Sequence, residues 1–151
     1  MLDIKKITSD NEFDNNLTRE KFIDFLHKHL GEFGDPKKDI DRSIDYAFSG
    51  AEGKGGFLLA AYYEKKLVGA LVINKTGMDG YIPENILVYV AVDGSYRNKG
   101  FGREIVEKAF MLADGNVKLH VEYDNPAKRL YERVGMTNKY AEMRYIKGNK
   151  K

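Results

Sequence analysis

The sequence predicts a mixed α/β fold: a central sheet, mostly antiparallel but with one parallel pair, flanked by about four helices. Three observations carry this. Runs rich in β-branched and aromatic residues alternate along the chain with stretches whose apolar residues recur at helical spacing. Two such β-rich runs, 57–63 and 66–74, are separated only by Glu64-Lys65, which suggests an antiparallel hairpin. Residues 86–122 read as strand, helix and strand, a crossover that makes its two strands parallel. The order is β-α-α-β-β-β-α-β-α-β, with the last β-rich stretch forming one or two strands.

Each element has a local reason. Leu2, Ile4 and Ile7, with Lys5 and Lys6 between, suit a first strand. Phe22, Phe25, Leu26 and Leu30 lie on one face of a helix that Thr18 can cap and Gly31 can end. Asp35-Pro36 reads as a cap followed by proline at the first helical position. Ile40, Ile44, Ala47 and Phe48 are the buried stripe of that second helix. Residues 50–56 are a glycine-rich break. Residues 76–85 form a loop with Gly77, Gly80 and Pro83. Residues 86–92 are almost continuously apolar, as in a strand covered on both faces. Ile105, Val106, Ala109, Phe110 and Leu112 line the buried side of the next helix, which Asp114-Gly115 ends. Val117, Leu119 and Val121 alternate with Lys118, His120 and Glu122, so 117–122 is a strand. Asn125-Pro126 repeats the cap and proline before a short helix carrying Ala127, Leu130, Tyr131 and Val134 and stopped by Gly135. Residues 136–146 are again β-rich.

Composition narrows the class. A chain of 151 residues suits one domain, here residues 1–147 with a basic tail at 148–151. Hydrophobic content of 42% and charged content of 32% describe a folded globular protein. The absence of cysteine removes disulfides and thiolate chemistry and accords with a cytoplasmic setting. The first residues lack the apolar core of a secretory signal, and no run approaches the ~18 apolar residues of a membrane span. A net charge of +2 gives no reason to expect nucleic acid as a partner.

The stretch 90–102 carries the chemistry. A β-branched strand stops at a turn, Arg97 is followed by Gly100 and Gly102, and an amphipathic helix begins at once. Free N–H groups of such a loop and first helical turn suit a phosphate. Arg97 and Lys99 add charge beside it. The glycines let backbone approach a ligand; the plainer alternative is a tight strand-to-helix turn. A P-loop needs Gly-x-x-x-x-Gly-Lys-Ser/Thr, a run the chain does not contain, and the dinucleotide fingerprint fails at its third glycine, where Ile105 stands.

The stretch resembles motif A of the GCN5-related N-acetyltransferases, Arg/Gln-x-x-Gly-x-Gly/Ala. Asn125-Pro-Ala-Lys-Arg-Leu-Tyr-Glu-Arg-Val-Gly-Met136 resembles the second hallmark of that family, with a shortened start and Met136 in place of Phe. The spacing and element order also match. The resemblance implies the family's acyltransferase fold, with the sheet splayed between 86–92 and 117–122, and acetyl-CoA as co-substrate. Backbone groups of Val90 and Val92 would bind the pantetheine like an added strand. The amides of Asn98, Lys99, Gly100, Phe101 and Gly102, with Arg97, would hold the pyrophosphate. Asn125 and Tyr131 would complete the cofactor site. A homodimer is compatible with the resemblance, though nothing in the sequence demands one.

Acetyl transfer requires loss of a proton from the amine, stabilisation of an oxyanion and departure of a thiolate. Tyr131 is the expected acid, because a phenol stays protonated at neutral pH; the alternative is a packing role within its helical stripe. Glu84, just before the central strand, is the expected base, directly or through water; the alternative is a solvated loop carboxylate. Glu122 and His120 are further candidates. The N–H of Val90 is the expected oxyanion donor. His27 and His29 stand two apart on a helix, so they make no metal pair, and no metal site is expected. The acceptor pocket should draw on the first two helices and loop 76–85, with Phe33, Tyr46, Tyr81 and Tyr89 as candidate linings. Asp35, Asp39 and Asp41 read as helix-start charges. The expected activity is N-acetylation of a primary amine of a small molecule or peptide by direct attack. The alternative is a non-catalytic acyl-CoA-binding or regulatory module.

Overall fold

A computed structural model describes residues 1–148; of the basic tail expected at 148–151, all but Gly148 lies outside the described residues. The chain runs β1 (Asp3–Ile7), α1 (Arg19–Leu30), α2 (Lys37–Phe48), β2 (Gly56–Tyr63), β3 (Lys66–Lys75), β4 (Asn85–Val92), α3 (Phe101–Leu112), β5 (Val117–Lys118) and α4 (Ala127–Arg133). The sheet order is β1-β2-β3-β4-β5. The first four strands are antiparallel in sequence, and β5 pairs with β4 in parallel. Among the described residues no helix is long and apolar enough to cross a membrane.

The sheet sits between two helical layers. Strand alternation sends Leu58, Ala60, Ala70, Val72, Tyr89 and Ala91 toward α1 and α2. It sends Phe57, Leu59, Leu71, Ile73 and Leu87 toward α3 and α4. The strands β2 and β3 are buried on both faces, whereas β4 alternates buried with half-buried residues. The expectation of a doubly covered strand at 86–92 therefore holds in part: β4 packs on both helical layers but is less fully buried than β2 and β3. Its residues are apolar throughout because Tyr89 and Ala91 pack toward α1 and α2 while Leu87, Val90 and Val92 pack toward α3 and α4, and the strand also lines a cleft.

Local signals act much as expected. Thr18 caps α1 by accepting from the Lys21 N–H at 3.1 Å. Arg19 then ties the start of α1 to Asp10, Asp41 and Asp45, fixing α1 against α2. Pro36 occupies the cap of α2, one position earlier than its expected place inside the helix, so Asp35 is left without a capping role. Glu64 and Lys65 join β2 to β3 with φ of 49° and 68°, the conformation of a two-residue hairpin turn.

Two strand predictions need correction. The stretch 117–122 pairs only at Val117 and Lys118; beyond them it leaves the sheet. Leu119 and Val121 still pack on the α3 and α4 core, so their alternation reports packing and not a hydrogen-bonded ladder. The β-rich stretch 136–146 contains no strand, and Tyr140, Met143 and Tyr145 are exposed. Strand propensity needs a partner edge, and none of the described strands pairs with this stretch.

Left-handed backbone is costly for residues with a Cβ. Lys65→Gly is therefore expected to stabilise the fold by about 0.5–1 kcal/mol, read as a higher denaturation midpoint at unchanged slope.

Candidate active site

The β4 strand carries a bulge. Val72 faces Tyr89 but Ile73 faces Leu87, so Val88 is an extra residue. Beyond it the ladder is regular, and Asp93 donates its N–H to Val68 O at 2.8 Å. Counting back by twos, Ala91 and Tyr89 direct their backbone groups to β3. Val90 and Val92 direct theirs to the other edge. Among the described residues no strand pairs with that edge, because β5 contacts β4 only at Asn85 and Ile86. The opening is a continuous cleft of about 1480 Å³.

The strand feeds the glycine loop at one end of this cleft. From Asn98 to Gly102 no N–H group has a protein acceptor among the described residues. Gly100 caps α3 at φ 83°, a conformation for which glycine is favoured, and a Cβ there would meet open space. Gly102 has a different reason. A Cβ on it would come within 3.1 Å of Leu130 Cδ2, so this glycine lets α4 pack closely on α3. Phe101 turns its side chain into an aromatic group with Tyr63 and Tyr96, at ring distances of 5.1 and 6.4 Å. Lys99 does not line the cleft, whereas Arg103 does.

Arg97 lines the cleft but is already engaged. Its Nη2 donates to His29 O at 2.8 Å, and its Nε donates to Val92 O at 3.4 Å. It thereby ties the last turn of α1 to the end of β4. His29 completes this latch, accepting the Gly94 N–H on Nδ1 at 3.2 Å while Nε2 lies 3.9 Å from Asp93. Burial lowers the His29 pKa; nearby Lys28, Arg97 and Lys66 act the same way against the opposing pull of Asp93. The backbone N–H of Ser95 holds the Asp93 carboxyl below its usual range.

From the other wall, α4 brings Tyr131 into the cleft at 9% exposure. Burial, with a smaller contribution from Glu122, pushes its hydroxyl up to about 12. It is therefore protonated at neutral pH. Glu122 and His120 line the same cleft. Asn125 also lines it, but its side chain is engaged: Oδ1 accepts the Ala127 N–H at 2.9 Å, and Nδ2 donates to Glu122 at 3.3 Å. It caps α4.

Glu84 lies outside the cleft lining. Its carboxylate accepts the Asn116 N–H at 2.7 Å and the Gly80 N–H at 3.3 Å, and these bonds lower its pKa. A carboxylate so held is a poorer base as well as a displaced one, and its place joins the start of β4 to the turn before β5. Of the expected acceptor linings, Phe33 and Tyr89 face the cleft and Tyr46 and Tyr81 do not. The Tyr46 hydroxyl instead bonds with Lys75 O at 2.8 Å. Loop 76–85 contributes no lining residue.

Residues 18–136 match the family described as the acetyltransferase (GNAT) family. The chain belongs to that family. Solved structures agree in fold. An aminoglycoside N-acetyltransferase in complex with CoA superposes with a TM-score of 0.68 at 12% identity, over 97% of this chain and 95% of the other. Glucosamine-6-phosphate N-acetyltransferase from Arabidopsis thaliana gives 0.58 at 22% identity, over 98% and 99%. A possible acetyltransferase from Clostridium difficile 630 gives 0.63 at 18% identity, over 99% of each. No curated protein sequence matches the chain.

Two parts of this acetyltransferase-family cleft escaped sequence reasoning. The pairing of His29 with Gly94 spans 65 residues and has no local signal. The pairing of Asp35 with Tyr89 at 2.6 Å was hidden by the helix-start pattern of Asp35-Pro36.

The latch has a pH signature. A histidine held below its unfolded pKa stabilises the fold fully above 6.5, and that contribution is lost as pH falls through the lower folded value. The unfolding midpoint should thus climb as pH rises toward 6.5, and His29→Asn, which keeps an acceptor near Nδ1, should flatten the climb. For Glu84, Glu84→Gln is expected to lower the melting temperature at neutral pH and to preserve turnover; a hundredfold loss of kcat without a stability change would restore it as the base.

Proposed function

We propose that the protein transfers an acetyl group from acetyl-CoA to a primary amine by direct attack. The observation that carries this reading is the unpaired β4 edge running into a row of unbonded loop amides, with the Tyr131 hydroxyl in the same cleft. CoA is long, anionic at its pyrophosphate and peptide-like in the pantetheine. An open strand edge complements the amides of the pantetheine. A helix N-terminus with a glycine cap complements the pyrophosphate. The residues present fit the group: Val90 and Val92 on the edge, and Asn98, Lys99, Gly100, Phe101 and Gly102 by their N–H groups. Arg97 supports this arrangement by fixing the loop, and its charge adds to the field there.

Each chemical demand then has a group. The amine forms the new N–C bond as the C–S bond breaks. The Val90 N–H, on the free edge, stabilises the oxyanion. Tyr131 donates its proton to the departing thiolate, and burial keeps that proton in place at neutral pH. The proton lost by the amine goes to Glu122 or His120, which line the cleft, and not to Glu84. The acceptor is a small-molecule or peptide amine entering past the α1–α2 connection.

The test is a screen of amines for thiol release from acetyl-CoA. With a productive amine, Tyr131→Phe should bind acetyl-CoA within about twofold of the parent and lose on the order of a hundredfold in kcat. An unchanged kcat would sink the acid role, and no thiol release with any amine despite acetyl-CoA binding would favour the non-catalytic module.

A further inference from the structure

The side chain of Tyr89 leaves β4 on the face opposite Tyr131, toward α1 and α2. It is 8% exposed, and its hydroxyl donates to Asp35 Oδ2 at 2.6 Å. Burial first, then this bond, raises the Tyr89 pKa, so the hydroxyl is a permanent donor. Asp35 sits just before the Pro36 cap and has no bond to the helix it precedes. Its carboxylate is therefore aimed by a buried phenol, with Oδ1 left over, and both residues line the cleft on its α1–α2 side.

A carboxylate favours the charged form of an amine beside it. The reacting nitrogen must be uncharged when it attacks. Asp35 also lies at the far end of the Tyr89 side chain, on the face of β4 opposite Val90 and Val92. Both facts suit an ammonium group other than the one acetylated. Glu32 lines the same end and adds negative charge. Arg144, from the stretch after α4, lines it too; the guanidinium is held charged by Glu142 at 2.6 Å first and by Asp35 at longer range.

The structure assigns to Asp35, positioned by Tyr89, the recognition of a second cationic group on the acceptor, which makes the substrate class a di- or polyamine. This inference rests on the acetyltransferase reading and adds the acceptor's charge pattern to it.

Two measurements test it. The first is steady-state thiol release at saturating acetyl-CoA, with α,ω-diamines from diaminopropane to diaminooctane and the matched amino alcohols. At least one diamine should show a KM about tenfold below its amino alcohol, the effect of one charge-assisted hydrogen bond. Asp35→Asn, which can still accept from Tyr89, should collapse that gap by raising the diamine KM with kcat largely kept. Tyr89→Phe should narrow the gap less. A diamine preference that survives Asp35→Asn, or amino alcohols that serve as well as diamines in the parent protein, would overturn the assignment. The second is calorimetric titration of the same diamines into protein saturated with CoA, which needs no turnover. Diamine binding that weakens about tenfold in Asp35→Asn supports the anchor even where no amine is acetylated, in which case only the catalytic reading fails. Equal binding by both proteins, or none by the parent, rejects it.

Discussion

Backbone N–H and C=O groups must be satisfied somewhere, by protein, water or ligand. Along most of this sheet the neighbouring strand does it. At Val90 and Val92 no neighbouring strand exists among the described residues, because β5 pairs for two residues and then departs. The bulge at Val88 lies just past that last pairing, and bulges bend and twist the strand that carries them. The result is a central strand that is anchored firmly to β3 on one side and, beyond Ile86, open on the other except where Arg97 Nε reaches Val92 O. That free edge gives the cleft its length and its hydrogen-bonding character.

The rest of the molecule holds this edge open. On one side, the cluster of Ile105, Val106 and Leu87 fixes α3, and Gly102 lets α4 pack closely enough to put Tyr131 in the opening. On the other, Arg19 braces α1 against α2, and Arg97 and His29 fasten the end of α1 to the end of β4. These contacts are made by backbone carbonyls and N–H groups as much as by charges. Arg97 therefore shapes the loop proposed to bind the pyrophosphate as well as charging it. The carboxylates divide as well: Glu84 holds backbone N–H groups outside the cleft, whereas Asp35, Asp93 and Glu122 line it, Asp93 while also holding the Ser95 N–H.

The two faces of β4 separate the two halves of the proposed reaction. Val90, Val92 and Tyr131 belong to the core with α3 and α4, on the side of the glycine loop. Tyr89 belongs to the core with α1 and α2, on the side of the acceptor. Neighbouring residues of a strand point to opposite faces, so one short segment contributes to both without crowding either.

Much of this was legible in the chain. The Thr18 cap, the hairpin at Glu64-Lys65, the helix stripes through Ile44, Ile105 and Leu130, and the loop from Arg97 to Gly102 are set by residues close together in sequence, where spacing and local conformation act directly. The family resemblance rested on such local runs as well. Only the tertiary structure decided the rest. It shortened β5 to two residues and left 136–146 without a strand, because alternation states which side chains are apolar but not whether a partner edge is within reach. It removed Glu84 from the cleft by giving it Asn116 and Gly80, and it paired Asp35 with Tyr89 and His29 with Gly94, contacts across 54 and 65 residues. A sequence fixes what each of these groups can donate or accept; which partner it meets depends on how the layers close around the sheet.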